Sequence, residues 1–144
     1  VRKIAKTSKL KNNAWGIFSK YIRQKYAKNG KVQCITCESW FDFKKIHAGH
    51  FIPGRHNAVL FDERNVHPQC YVCNVLFGGN GPKYYKFMLK KYGQDVIDEL
   101  ENLDRSIKKY SSEDYLRIHD EYKKKYTSLI ATLDKSESPL DEPF

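Results

Sequence analysis

The chain has 144 residues, 40% of them hydrophobic and 14% aromatic, which is enough apolar area for one packed domain and excludes a wholly disordered polymer. Lys and Arg outnumber Asp and Glu by 26 to 17, so an anionic partner is favoured: nucleic acid first, an anionic membrane surface second. No apolar run approaches the ~18 residues that span a bilayer, and the first residues are too basic and polar for a secretory leader.

From Arg2 to Lys31 every charged side chain is basic, and the first acidic residue is Glu38. Charge of one sign repels itself, so this stretch reads as a phosphate-contacting arm that carries Lys20 and Arg23; the plain alternative is a solvated basic face. Asn12 or Asn13 is the expected cap of a helix running to about Ala27, because Trp15, Phe18, Ile22 and Tyr26 recur at helical spacing. Asn29-Gly30 ends it. Residues 31–46 hold Val32, Ile35, Trp40, Phe41 and Phe43, and predict short strands around a cysteine knuckle. Residues 46–52 read as a strand stopped by Pro53-Gly54. A loop from Arg55 to Arg64 follows, with a short apolar segment at Val59–Phe61. A short helix is expected from about Cys70 to Gly78-Gly79.

The rest reads as helix. Asn80 is the expected cap of a helix from Pro82 to Tyr92, with Tyr85, Met88, Leu89 and Tyr92 as its buried stripe. Gly93 breaks it, and Gln94–Leu103 forms a second helix with Val96, Ile97, Leu100 and Leu103 inward. Ser111 and Asp114 have capping-box spacing before a helix over 112–133. Its stripe is Tyr115, Ile118, Tyr122, Tyr126, Leu129 and Leu133, with His119 on the polar face. Lys83, Lys86, Lys90 and Lys91 either extend the basic surface or are ordinary solvated lysines. The acidic stretch from Asp134 to Phe144 reads as a disordered tail. The chain thus divides into a basic helical arm (1–31), a cysteine-centred core (32–80), C-terminal helices (81–133) and the tail (134–144).

All four cysteines fall in two pairs of CxxC spacing, Cys34/Cys37 and Cys70/Cys73. Two such pairs make a tetrahedral four-sulfur site with zinc as the expected metal; two disulfides or a redox motif are the alternatives. A zinc ion with four sulfur ligands has no open position, so its role is structural. His47, His50, Asn65 and His67 lie between the knuckles, and Asn74 directly follows Cys73, which aims it.

This order of residues resembles the HNH, or ββα-metal, nuclease motif, with His50, Asn65 and Asn74 as its matching residues. The segments Cys34-Ile-Thr-Cys37, Ala48-Gly-His-Phe51, Phe61-Asp-Glu-Arg-Asn-Val-His67, Gln69-Cys-Tyr-Val-Cys-Asn74 and Gly79-Asn80 are similar to the phage NinG (Rap) family of recombination nucleases. Tyr92-Gly93 and Val96-Ile-Asp-Glu-Leu-Glu101 extend the resemblance, which covers about residues 12–133. The knuckles also resemble those of endonuclease VII, a phage resolvase of four-way junctions.

The resemblance implies an α+β fold: a small ββα-metal core on the four-cysteine zinc site, flanked by N-terminal and C-terminal helices. It implies His50 as general base, Asn74 as ligand of a single Mg2+ or Mn2+, and Asn65 as the residue that orients His50 through its backbone. Arg55, His56 and Arg64 join Lys20 and Arg23 as expected phosphate contacts. Relatives of the endonuclease VII type carry Asp immediately before the base His, where this chain has Gly49. His47, on the same strand face, is the expected substitute ligand, and an imidazole there favours Mn2+ over Mg2+. Asp62 and Glu63 are the other candidates. His67 is open between the zinc thiolates and DNA.

The implied activity is structure-specific hydrolysis of branched DNA, four-way junctions and displacement loops, during phage recombination in the host cytoplasm. A homodimer is expected, with the helices after Pro82 as its contact or as a junction-binding arm. The alternatives are a non-catalytic zinc-knuckle DNA-binding module and a less selective HNH nicking nuclease. Cleavage is expected to rise with pH as His50 loses its proton and then level off. Binding is expected to weaken steeply with salt.

Overall fold

A computed structural model describes residues 2–135. Helix α1 (Arg2–Lys25) opens the chain. A hairpin of β1 (Lys31–Gln33) and β2 (Trp40–Asp42) leads to β3 (His47–His50), the short α2 (Asn57–Leu60), a 3-10 turn, and β4 (Val66–Gln69). A single π-helical turn (Val72–Leu76) precedes helices α3 (Gly81–Lys91), α4 (Gln94–Asp104) and α5 (Ser112–Lys135). The fold is α+β, with two small antiparallel sheets among the helices. No helix among the described residues is long and apolar enough to cross a membrane. The expected tail lies outside the described residues beyond Lys135.

Helix α1 starts at Arg2 and not at Asn12 or Asn13, which are exposed interior positions of the helix. Lys, Ala and Leu are good helix formers, and an exposed Asn costs only about 0.7 kcal/mol relative to Ala. Leu10 also continues the apolar stripe one turn upstream of Ala14, Phe18 and Ile22. That stripe packs on Tyr115, Ile118 and Tyr122 of α5 and on Val66 of β4. Phe18 is wholly buried and meets Tyr122 edge-on at 4.8 Å. Thr7 Oγ1 meets Ser112 Oγ at one end of the pair, and Tyr21 meets Tyr122 further along, so the two helices run in the same direction. The basic arm is therefore half of a helix pair. Lys6, Lys9 and Lys20 are exposed on it.

The expected capping box forms as a reciprocal pair: Asp114 N donates to Ser111 Oγ at 3.1 Å, and Ser111 N donates to Asp114 Oδ2 at 2.9 Å. Replacing Ser111 with Ala should lower stability by about 1 kcal/mol in urea denaturation, since one orphan donor of the first turn loses its acceptor.

Two expected elements differ. Val59–Phe61 is not a loop segment: Asn57–Leu60 forms one helical turn, because Val59 and Leu60 bury completely beside α3 and α4. On α3 the buried residues are Tyr84 and Met88, whereas Tyr85 and Leu89 are exposed. The inward stripe is turned by one residue because the Tyr84 hydroxyl reaches the carbonyl of Gly49 on β3.

β3 and β4 carry the region of interest. Their antiparallel register places His47 opposite Gln69, Gly49 opposite His67 and His50 opposite Val66. Opposed residues share a face, so His47, Gly49, His67 and Gln69 lie on one side, and His50 lies on the side of α1.

Candidate active site and metal centre

The Cys34–Cys37 turn joins β1 to β2, and Cys70–Cys73 leads from β4 into the π-helical turn. Their four Sγ atoms lie within 4.8 Å of one another, with Cys37 and Cys70 at 3.8 Å. Zn–S bonds of about 2.3 Å in a tetrahedron separate sulfurs by about 3.8 Å, so the cluster matches that coordination shell. Burial opposes ionisation of Cys34, yet the Cys37 backbone and the Thr36 hydroxyl take its thiol down to about 6. Burial and the nearby Cys34 push Cys70 up to about 12. Four thiolates so close repel one another, and a dication is what lets them ionise together. The cysteines are thus positioned to hold a metal ion such as zinc.

Beside this centre lies an open pocket of about 550 Å3, and His47, His50, Arg23, Arg55, Trp15 and Asn74 are among its lining residues. His50 Nε2 lies 3.4 Å from Leu60 O, and its ring stacks on Trp15 at 5.0 Å. A carbonyl only accepts, so Nε2 carries the proton and Nδ1 keeps a lone pair. Burial pushes the His50 ring down to about 4, with the Arg55 charge acting in the same direction. His50 is therefore a neutral base at physiological pH.

Asn65 is wholly buried and staples the chain that leaves His50. Its Oδ1 accepts from Ile52 N at 2.9 Å, its carbonyl accepts from Phe51 N at 2.8 Å, and its Nδ2 donates to Val59 O at 3.2 Å. Asn74 Nδ2 donates to His47 Nδ1 at 3.2 Å. That contact uses the Nδ1 lone pair of His47, so Nε2 carries the proton of the neutral ring and offers no lone pair to an ion, which goes against His47 as the substitute ligand. The contact also turns Asn74 Oδ1 toward Gly49.

His67 belongs neither to the cysteines nor to a DNA surface. It is buried among aromatic rings and linked by Nδ1 to Tyr84 Oη at 2.9 Å and by Nε2 to Tyr92 Oη at 2.8 Å. Tyr84 Oη donates to Gly49 O at 2.7 Å, so it accepts from His67, and the chain of donors runs Tyr92, His67, Tyr84, Gly49. Burial holds the His67 ring at about 3, and Lys91 and Lys25 add to the shift. This relay anchors β3 one residue before His50. Tyr84→Phe should cost about 2–4 kcal/mol in a denaturation curve, because a buried carbonyl and a buried imidazole N–H both lose their partner.

The remaining expected residues divide. Arg23 and Arg55 line the pocket. Arg23 donates to Ser19 O and Phe43 O, and the Arg55 guanidinium sits over the Trp15 ring at 4.8 Å. Lys20 is exposed on α1. His56 and Arg64 are drawn toward α4, His56 to Asp104 at 2.6 Å, Arg64 to Glu99 at 2.8 Å and to Asp62. Asp62 is thereby engaged, and Glu63 is held by Lys25, Lys125 and Tyr122, so neither acid lines the pocket. Asn80 stands at the start of α3 in a left-handed conformation, and its Nδ2 donates to Cys73 Sγ, not to the helix. Lys83, Lys86, Lys90 and Lys91 gather along a groove beside Cys37. Trp15 and Tyr84 serve the site without a signal in the sequence, where Trp15 reads as core stripe and Tyr84 as nothing in particular. A polar hydroxyl or ring at a helical core position carries no mark of the partner it will reach.

Fold and site define a class: a small α+β module in which two cysteine knuckles hold a His/Asn pocket beside a pair of helices. The family described as "Bacteriophage Lambda NinG protein" matches residues 1–132. The chain belongs to the NinG family. Protein ninG of Salmonella phage P22 is 32% identical over 99 residues, which cover 68% of this chain and 48% of that protein. Protein ninG of Escherichia phage lambda is 31% identical with the same coverage of both chains, 68% and 48%. Protein ninG of Enterobacteria phage H19B is 45% identical over 56 residues, 38% of this chain and 28% of its own length. The chain thus spans about half the length, or less, of these curated relatives. No solved structure matches it significantly.

Proposed function

We propose that this chain is a divalent-metal-dependent endonuclease that hydrolyses phosphodiesters in branched DNA, including four-way junctions, during phage recombination. The observation that carries the reading is the convergence of a neutral, oriented His50 and an Asn74 carbonyl oxygen in one pocket edged by Arg23 and Arg55. His50 Nδ1 takes the proton of the attacking water, while Trp15 and the Leu60 carbonyl keep the ring in one plane. Asn65 fixes the backbone that leaves His50, and Arg23 and Arg55 offer charge to the phosphates on either side of the scissile bond. Asn74 Oδ1 would hold Mg2+ or Mn2+, which when bound would supply charge neutralisation at the phosphate and the leaving group. The zinc centre takes no part in the chemistry and fixes where Asn74 points. Paired cuts at a junction need two sites related by a two-fold, which makes a homodimer the working assembly.

The test is cleavage of a synthetic four-way junction against linear duplex of the same sequence, with Mg2+ and with Mn2+, and with His50→Ala as the control. Symmetric nicks at the junction that vanish in the variant support the reading. Tight junction binding without a cut in either metal ends it and leaves a branched-DNA-binding module. Equal cutting of junction and duplex leaves a nicking nuclease without structural selectivity.

A further inference from the structure

Gly49 occupies the position where the base-preceding carboxylate is missing, and the structure shows what fills its space. A Cβ at residue 49 would lie 2.1 Å from Gln69 Oε1 and 3.0 Å from Asn74 Oδ1. Gln69 is wholly buried on β4, on the same sheet face as Gly49. Its carboxamide cannot be turned over. Nε2 donates to Gly79 O at 2.8 Å and to Thr36 Oγ1 at 3.3 Å, and an oxygen in its place would face the Gly79 carbonyl. Oε1 is therefore the atom aimed at Gly49, and it finds no hydrogen-bond donor among the described residues. A buried carbonyl oxygen without a donor is costly, and in native proteins such an atom calls for a partner such as a bound water or ion.

We infer that Gln69 Oε1 and Asn74 Oδ1 form a paired carbonyl-oxygen anchor for the divalent cation, filling the place of the absent carboxylate. The inference rests on the nuclease reading for its purpose, but the site stands on its own geometry. Both oxygens flank one point beside the Gly49 Cα, and a side chain there would displace the ion. Gly79 and Thr36 fix the Gln69 carboxamide, while His47 and the Cys73 knuckle fix that of Asn74. Thr36 is also hydrogen-bonded to Cys34 Sγ, so the cysteine centre holds both halves of the anchor. Neutral amide oxygens are hard ligands without charge. They suit Mg2+ and Mn2+ alike, bind weakly, and leave positions for water and phosphate oxygens. The expected shift toward Mn2+ from an imidazole ligand is then not needed.

The test is Mn2+ binding to the zinc-loaded protein without DNA, read by the electron paramagnetic resonance signal of the free ion. Gln69→Met and Gln69→Glu both lose the donor to Gly79, but only the second keeps an oxygen, so their difference reads the ligand. Gln69→Met should weaken Mn2+ about tenfold or more, and Gln69→Glu should bind at least as tightly as the parent. Gly49→Ala, which removes no polar group but puts a methyl group where it must displace the Gln69 carboxamide, should weaken Mn2+ as Gln69→Met does. Retained zinc and an unchanged circular dichroism spectrum certify each fold. Equal Mn2+ affinity in the parent and in whichever of Gln69→Met and Gly49→Ala folds overturns the anchor, as does a parent that binds no Mn2+ at millimolar concentration. A Gln69-dependent Mn2+ site in a protein that cuts no DNA upholds the anchor and ends the nuclease reading. Cleavage that survives in Gln69→Met with unchanged Mn2+ affinity does the reverse.

Discussion

Removing the metal from the four-cysteine centre with a strong chelator at neutral pH should unfold the region from Lys31 to Asn80. The cluster of Ala27, Val32, Cys34, Ile46, Cys70 and Cys73 buries no aromatic ring fully, since Tyr26, Phe41 and Phe43 pack against it only partly buried, and both strands of its hairpin are three residues long. Such hairpins are marginal in water without a staple. Binding of structural zinc is worth about 10–16 kcal/mol at neutral pH, against about 5–15 kcal/mol for the net stability of a whole domain. Loss of the ion therefore outweighs what the rest of this region supplies. The α1–α5 pair has its own buried aromatic cluster around Phe18 and Tyr122, so helical ellipticity should fall only in part. One zinc per chain by elemental analysis, a collapse of near-ultraviolet ellipticity on chelation and its recovery on adding Zn2+ would bear this out. A chain that keeps its near-ultraviolet spectrum and its Tyr84-dependent stability after complete chelation would show that the cysteines are not a structural metal site. Cys73→Ser should behave like the chelated protein, because it leaves three thiolates in a site built for four.

His50→Ala should lower the rate of junction cleavage by about 10²–10⁴-fold while junction affinity changes little. In the proposed mechanism the ring takes a proton from water and does not hold the DNA backbone, so its loss would remove transition-state stabilisation and leave ground-state contacts. The pH dependence differs from the sequence expectation of a rise near neutrality. Burial lowers the ring to about 4, so the base form is full above that value and is lost as the pH falls through it. The rate limb owed to His50 should then lie near pH 4, and the profile should be level from about 5 to 8 on its account. Stability follows the opposite sign to that of a histidine held by an acid. With the folded value depressed below the ordinary 6.5, burying His50 neutral contributes stability above that value, and the contribution is lost on acidification toward 4. A limb centred near 6.5, together with a nuclear magnetic resonance titration of His50 at the same value, would place the ring in water and remove the stacked geometry from the mechanism.

The resemblance that places the chain among NinG proteins, the four-cysteine site and the α+β class are all legible in the residues. CxxC spacing has few physical outcomes, and a Cys-Asn neighbour pair fixes a direction whatever surrounds it. The capping box at Ser111 and the stripe of α5 are legible because they are local, with both partners within one or two helical turns. The start of α1 is not. Its first turns are held by α5, more than a hundred residues away in sequence, through contacts such as Thr7 with Ser112. The inward face of α3 departs from its apolar periodicity by one residue because Tyr84 is selected by a hydroxyl contact to β3 and not by hydropathy. The charges divide in the same way. Arg23 and Arg55 reach the pocket, while Arg64 and His56 turn to acids on α4 that no local pattern links to them.

Sequence alone determined the residue types, the two knuckles and the order His50, Asn65, Cys70, Cys73, Asn74, because ligand chemistry and short spacing act over a few bonds. It also determined that residue 49 has no side chain. Only the tertiary structure decided what that absence admits. Antiparallel pairing of β3 with β4 carries Gln69 to Gly49, two hydrogen bonds lock its amide, and one buried oxygen is left facing Asn74. Strand register and the direction of an amide are set by partners distant in the chain, and so they arise only when the whole core packs at once.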